Sequence, residues 1–191
     1  MIYKKLRELA AISISNVDKK SNKDETPVKL CNFVDVYRNW AITSRTASDF
    51  MIASAKKSEI DKYSLHKGDV CITKDSETKD DIGMSTYIAD EIPDLVLGYH
   101  CALISPDSNV LDGKYLNAFL QTDFVRKFYE LNASGSGQRY TLSLDAIGDI
   151  PIPVISMEEQ RRKGELLSLI DRKIENNRMI NDNLAQLEMV A

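Results

Sequence analysis

The chain has 191 residues, 43 % of them hydrophobic and 28 % charged, with 25 Lys+Arg against 29 Asp+Glu for a net charge of −4. That length suits one domain, or one domain with an appendage, and the apolar fraction excludes a disordered chain. No window approaches the roughly 18 consecutive apolar residues of a membrane span, the start Met1-Ile2-Tyr3-Lys4-Lys5-Leu6-Arg7 shows no apolar signal core, and a pI near 5.3 argues against a simple basic nucleic-acid binder.

Residues 2–10 predict a short helix with Leu6 and Leu9 on one side. Residues 17–27 are polar and lysine-rich, a loop. Residues 28–37 alternate and are rich in β-formers, so they predict a strand. A polar turn with the only Trp follows at Arg38-Asn39-Trp40, and residues 54–63 predict a helix. Residues 65–73 predict a turn into a strand, 74–83 a long polar loop, and 84–89 and 95–104 two further strands. Asp112 is a candidate N-cap for a helix over 114–131, with an interruption at Thr122-Asp123. Residues 133–141 are a Gly/Ser-rich loop, and 142–155 return to extended structure around Pro151 and Pro153.

The last element is the clearest. Ser156-Met157-Glu158-Glu159 has the pattern of a capping box, and no proline follows it. A helix of about 35 residues would run about 50 Å, longer than a small domain needs. Leu167, Ile170, Ile174, Asn177, Asn181 and Leu184 alternate three- and four-residue steps, with Leu187 extending the stripe. That is coiled-coil spacing, with two Asn positions that would fix register. The expected fold class is α+β, with a globular domain over residues 1–155 and a long pairing helix over 156–191.

Charge is unevenly spread. Residues 67–112 carry three Lys/Arg and ten Asp/Glu, a balance of −7, so the rest of the chain is +3. Local potential, not the formal total, steers a polyanion. Cys31, Cys71 and Cys101 are far apart, form no Cys-x-x-Cys, and sit in apolar runs, which predicts buried reduced thiols.

Catalytic fingerprints are missing. There is no phosphate loop, no dinucleotide fingerprint (Tyr140 stands where Gly135-Ser136-Gly137 would need a third glycine), and no nucleophile elbow. Asp69, Glu77 and Lys79 offer the one alternative, an acidic pair plus lysine of the kind a Mg-dependent nuclease uses. No metal ligand set and no catalytic residue is otherwise indicated.

Three loops combine donors, acceptors and flat rings: Tyr37, Arg38, Asn39, Trp40, Thr43 and Arg45; then Lys74, Asp75, Ser76 and Lys79; then Ser136, Gln138, Arg139 and Tyr140. Arg reads guanine, Asn or Gln adenine, and Asp or Glu the cytosine amino group, while Lys, Arg, Ser and Thr take phosphates. From residue types alone the loops read either as ordinary surface or as a DNA-reading head.

Leu30-Cys31-Asn32-Phe33-Val34-Asp35-Val36-Tyr37, Lys67-Gly68-Asp69-Val70-Cys71-Ile72-Thr73-Lys74-Asp75-Ser76-Glu77, Asp80-Asp81-Ile82-Gly83, Gly98-Tyr99-His100 and Glu159-Gln160 occur in an order that resembles the DNA-specificity subunit of type I restriction–modification enzymes. The resemblance implies one target recognition domain and one conserved-region helix, with Tyr99 and His100 joining the three loops at the DNA. It implies a cytoplasmic, non-catalytic subunit that binds double-stranded DNA and docks methyltransferase and restriction subunits. S-adenosylmethionine, ATP and Mg would then sit on those partners, and none on this chain. Such subunits usually carry two recognition domains. This chain would be either a half-subunit that dimerises through its helix or the N-terminal half of a longer subunit.

Overall fold

The computed structural model describes residues 2–135 and 137–190, without the side chains of 175, 182, 183 and 185–190. In chain order it forms β1 (Ile2–Lys5), a 3-10 turn (Leu6–Glu8), β2 (Ala10–Ile14), β3 (Thr26–Cys31), α1 (Phe33–Arg38), β4 (Ala41–Ile42), a 3-10 turn (Thr46–Asp49), β5 (Ile52–Ala55), α2 (Lys57–Tyr63), β6 (Val70–Thr73), β7 (Asp75–Ser76) and β8 (Ser85–Ile88). There follow β9 (Leu95–Leu97), β10 (Cys101–Pro106), α3 (Gly113–Leu120), α4 (Asp123–Asn132), β11 (Ser134–Gly135), β12 (Tyr140–Thr141), α5 (Leu144–Gly148), β13 (Pro151–Val154) and α6 (Met157–Val190). The expected α+β class holds.

The centre is a mixed five-stranded sheet in the order β2-β10-β6-β8-β4. Its inner strands are apolar on both faces because each face covers a separate core. Val70, Ile72, Ala102 and Ile104 point into a core shared with Leu116, Tyr129 and Ile152. The alternate residues Cys71, Cys101 and Leu103 point into a second core with Val36, Leu95 and Leu97. All three cysteines are free and buried, and burial pushes each thiol pKa up. A second sheet, β5-β3-β9, covers a third cluster around Leu30 and Val96.

Several local expectations are corrected. Residues 2–10 are not a helix: β1 pairs antiparallel with β13, Ile2 opposite Val154, and only the Leu6–Glu8 turn is helical. Residues 28–37 are not one strand. Asn32 stops β3 and caps α1, its side chain accepting from Phe33 N at 2.8 Å while Asp35 accepts from Asn32 N at 2.8 Å. The helix expected over 54–63 starts only at Lys57, because Ile52–Ala55 is spent pairing with β3. The strand expected over 95–104 breaks at Gly98-Tyr99-His100, where His100 takes φ 68° and Gly98 N bonds Cys31 O at 2.8 Å. Within 142–155, Ser143 caps α5 by accepting from Ala146 N at 3.0 Å.

Asp112 caps α3 as expected, accepting from Tyr115 N at 3.0 Å, and the helix pair breaks at Gln121 and Thr122. α6 begins at its capping box, Glu159 N donating to Ser156 Oγ at 3.3 Å. Its first turns lie against α3. Gln160, only 2 % exposed, accepts from Asp112 N at 2.9 Å and donates to Val110 O at 3.0 Å and Ile155 O at 3.1 Å. Gly164 sits where a Cβ would be 2.8 Å from Lys114 Cβ and Tyr115 N, so the one glycine of the helix marks the crossing. Lys114 Nζ to Glu165 at 2.6 Å closes the contact. Farther along, Leu167, Ile170, Ile174 and Leu184 are exposed, as are Asn177 and Asn181, and so are Leu166, Leu169 and Ile180. Leu187 lies outside the described side chains. Among the described residues no helix is long and apolar enough to cross a membrane.

Candidate nucleic-acid interface

The site is built on a strand pairing between distant loops. β7 pairs antiparallel with β12, Asp75 opposite Thr141 and Ser76 opposite Tyr140, and β12 pairs back on β11. Gly135 makes that tight hairpin feasible: it takes φ 151°, and a Cβ there would lie 2.1 Å from Arg139 O. The polar loop at 74–83 and the Gly/Ser loop at 133–141 are thereby held edge to edge.

Asp75 is the hub, 7 % exposed. Lys74 Nζ lies 2.9 and 3.0 Å from its two carboxylate oxygens, His100 Nδ1 bonds it at 2.5 Å, and Arg139 Nη2 stands 3.8 Å away. Burial alone would raise its pKa, but hydrogen bonds with Thr141, Lys74 and His100 outweigh burial and hold the carboxyl below its ordinary value. Nδ1 of His100 is turned to the carboxylate, which fixes the orientation of the imidazole ring. Arg139 Nη2 lies 2.9 Å from Nδ1 and 3.0 Å from Nε2, so the guanidinium packs against the imidazole that Asp75 orients. The Tyr99 ring lies 4.0 Å from the His100 ring.

A cleft of about 790 Å³ opens beside this cluster. Tyr37 and Arg38 at the end of α1 line it, with Asp75, Ser76, His100, Gln138 and Arg139. Tyr37 donates from its hydroxyl to Asp81 Oδ1 at 2.9 Å, a bond that raises the phenol pKa. Lys79 Nζ stands 5.3 Å above the Tyr140 ring. On the other side of the hub, Lys74, Asp75, His100 and Arg139 line a further hollow with Thr141. The structure thus joins the start of the first predicted loop, the second loop, the third loop and the Tyr99-His100 turn.

It does not join the rest of the first loop. Asn39, Trp40, Thr43 and Arg45 line a second cleft of about 410 Å³, facing α6. β4 pairing parallel with β8 carries the chain away from the hub. Some of these residues serve the turn itself: Asn39 Nδ2 donates to Asp35 O at 2.8 Å, and Thr43 Oγ1 accepts from Thr46 N at 3.2 Å. Ser136 lies outside the described residues. Thr78 and Asp81 join the main cleft from the second predicted loop, and Lys19, Phe33 and Val34 line it although sequence reasoning passed over them as site residues. Only the Lys19-Lys20 pair in a polar loop could have flagged one of them.

The nuclease alternative is overturned by position. Asp69 is buried at the start of β6, accepting from His66 N at 2.8 Å, while Glu77 lies beyond the opposite end of that strand. Among the described residues no group of three or more His, Cys, Asp or Glu is placed to hold a metal ion.

The fold is shared with known proteins. The specificity subunit of the type I restriction enzyme HindI from Haemophilus influenzae is 23 % identical over 127 residues, covering 66 % of this chain and 27 % of its own length. The type I restriction–modification S subunit of M. genitalium superposes with a TM-score of 0.57 at 15 % identity, over 91 % of this chain and 40 % of that one. The HsdS subunit of Thermoanaerobacter tengcongensis gives 0.58 at 16 %, over 91 % and 38 %. These likenesses show the fold, and the chain spans well under half the length of each relative. The family described as the type I restriction modification DNA specificity domain matches from residue 3 to residue 186. With that match running across nearly every element from β1 to α6, the chain belongs to the family of type I restriction–modification DNA specificity domains.

Proposed function

We propose that this chain reads one half of a bipartite double-stranded DNA site and directs methyltransferase and restriction subunits to it. The observation that carries the reading is convergence: Tyr37-Arg38, Asp75-Ser76, His100 and Gln138-Arg139 come from four separate segments and meet on one cleft. Arg139 supplies a donor fork suited to the guanine edge and Gln138 the donor–acceptor pair suited to adenine. Asp75 and His100 hold Arg139 in place, themselves steadied by Lys74 and Tyr99, while Arg38 and Ser76 line the cleft where phosphates and sugars would lie, with Lys79 and the Tyr140 ring stacked nearby. Asn39, Trp40 and Thr43 shape the turn that leads out of it.

In this reading residues 1–155 form the target recognition domain and residues 156–191 the spacer. The exposed Leu167, Ile170, Ile174 and Leu184, with Asn177 and Asn181, form a pairing seam. Its partner is a second copy in a two-fold coiled coil, or the corresponding helix of a longer subunit. The chain is cytoplasmic and performs no chemistry of its own. S-adenosylmethionine, ATP and Mg belong to the partner subunits.

The test is to assemble the chain with its methyltransferase subunit and map which adenines become methylated. A defined half-site, changed by substitutions at Gln138 or Arg139, is the expected result. Methylation without sequence preference refutes the reading. So does DNA cleavage by the isolated chain with Mg.

A further inference from the structure

The second cleft has no role in the reading above, yet its chemistry is one-sided. Arg38 and Arg45 approach from the globule, and Arg172 and Arg178 from α6, with Asp171 as the only carboxylate among the described side chains that line it. Arg172 gives one guanidinium nitrogen to Glu165, at 2.5 Å. A guanidinium has five N–H donors, so that pair leaves most of the fork available to another acceptor. Tyr37 and Arg38 line this cleft and the main one alike, so the two form a continuous path across the surface from the Arg139 cluster to the long helix.

The geometry points to this second cleft as a binding site for the phosphate backbone of the duplex whose bases are read in the main cleft, with α6 contributing Arg172 and Arg178 to the DNA. The inference rests on the DNA-reading proposal. Its content is that the helix holds the DNA as well as spacing the domains. Planar guanidinium forks match phosphate oxygens bidentately, and four of them on one path suit a polyanion. Continuity with the reading cleft favours DNA over an acidic protein surface, because a duplex seated on Arg139 extends in both directions along its axis.

The experiment follows binding of the full chain to a mixed-sequence duplex of about 30 base pairs by fluorescence anisotropy, over a salt series. Each phosphate that the protein no longer neutralises flattens the slope of log K against log salt by about 0.9. The double variant Arg45→Gln/Arg172→Gln is expected to flatten it by about 1.8, equally for any duplex sequence, while Arg45→Lys/Arg172→Lys keeps the wild-type slope. Lys127→Gln, outside both clefts, serves as the control and leaves the slope unchanged. An unchanged slope in the Gln pair overturns the inference and leaves the reading cleft standing. An unchanged slope together with failure to associate with the methyltransferase subunit overturns it in favour of a protein partner. A wild-type chain with no salt-dependent binding overturns both proposals.

Discussion

Gln160 is the side chain on which the seating of α6 depends most. Replacing it with Ala removes the partner of one half-buried N–H, at Asp112, and of two half-buried carbonyls, at Val110 and Ile155. Leaving buried polar groups unpaired costs roughly 1–3 kcal/mol where one group is concerned, and less per group where water follows the truncation. With three groups sharing one small site, a total of about 3 kcal/mol is expected, a large part of the 5–15 kcal/mol, roughly, that holds a domain together. At about 2–4 °C per kcal/mol for a chain of this size, the melting temperature should fall by about 6–12 °C. Urea unfolding followed by circular dichroism should show a lower midpoint at an unchanged slope. Gln160→Glu separates hydrogen bonding from packing. It keeps an acceptor for Asp112 N but sets a carboxylate against two carbonyls, so its pKa rises and its stability improves as pH falls toward that raised value. A Gln160→Ala protein within about 0.5 kcal/mol of wild type would show that Gly164 and the Lys114–Glu165 pair seat the helix without it.

Gly164→Ala should raise helix propensity by about 1 kcal/mol and still destabilise the protein, because overpacking against Lys114 and Tyr115 costs about 1–3 kcal/mol; differential scanning calorimetry reads the balance. Asp75, whose carboxyl titrates below its ordinary 3.8, contributes stability that is complete above that value and is lost as pH falls through the lowered native one. Asp75→Asn should therefore flatten the acid limb of a stability profile below about pH 4, and lower the plateau above it. Arg139→Ala should cost about 1–3 kcal/mol on the cognate duplex and relax the preference at one base position, measured by competition binding. Sedimentation at tens of micromolar should show a dimer that Ile170→Asp/Ile174→Asp abolishes; a wild-type monomer there would remove the homodimer, leaving the helix of a longer subunit as partner.

The parts of the fold legible in the sequence are those fixed by neighbours along the chain. Ser156 with Glu159 announces α6, Asp112 announces α3, and the doubly apolar runs at 70–73 and 101–104 are strands buried on both faces. What stayed illegible depends on distant pairing. Ile2–Lys5 extends because Pro151–Val154 lies beside it, and Leu6 and Leu9 are buried from a turn rather than from a helix. Val34 and Val36 mimic a strand, yet the Asn32 and Asp35 capping pair, three residues apart, was a local sign that α1 begins there. The site divides in the same way. Residue chemistry picked out Asp75, His100 and Arg139, but their meeting needs the pairing of Asp75 with Thr141 across a gap of more than sixty residues. The departure of Asn39 through Arg45 toward α6 follows from β4 joining β8, which no spacing in the first loop encodes.

The acidic balance of residues 67–112 looks hostile to DNA until its carboxylates are followed one by one. Asp69 accepts from His66 N, Asp90 from Ser44 N, Glu91 from Lys67 N, Asp107 from Asn109 N and Asp112 from Tyr115 N. Asp75 is spent on Lys74 and His100, and Asp81 on the Tyr37 hydroxyl. Most of the segment's negative charge therefore caps turns or orients cations, and a capped carboxylate has its lone pairs, and part of its field, committed to the fold. The groups that line the main cleft include Lys19, Arg38 and Arg139 against Asp75, Glu77 and Asp81, a near balance rather than an acidic wall. A balanced cleft discriminates well and attracts weakly, because base edges are matched by local donors and acceptors while affinity scales with phosphates neutralised. The chain alone should then bind DNA weakly, with a salt slope no steeper than its few phosphate contacts give, and on the proposed function tight binding should require the assembled complex.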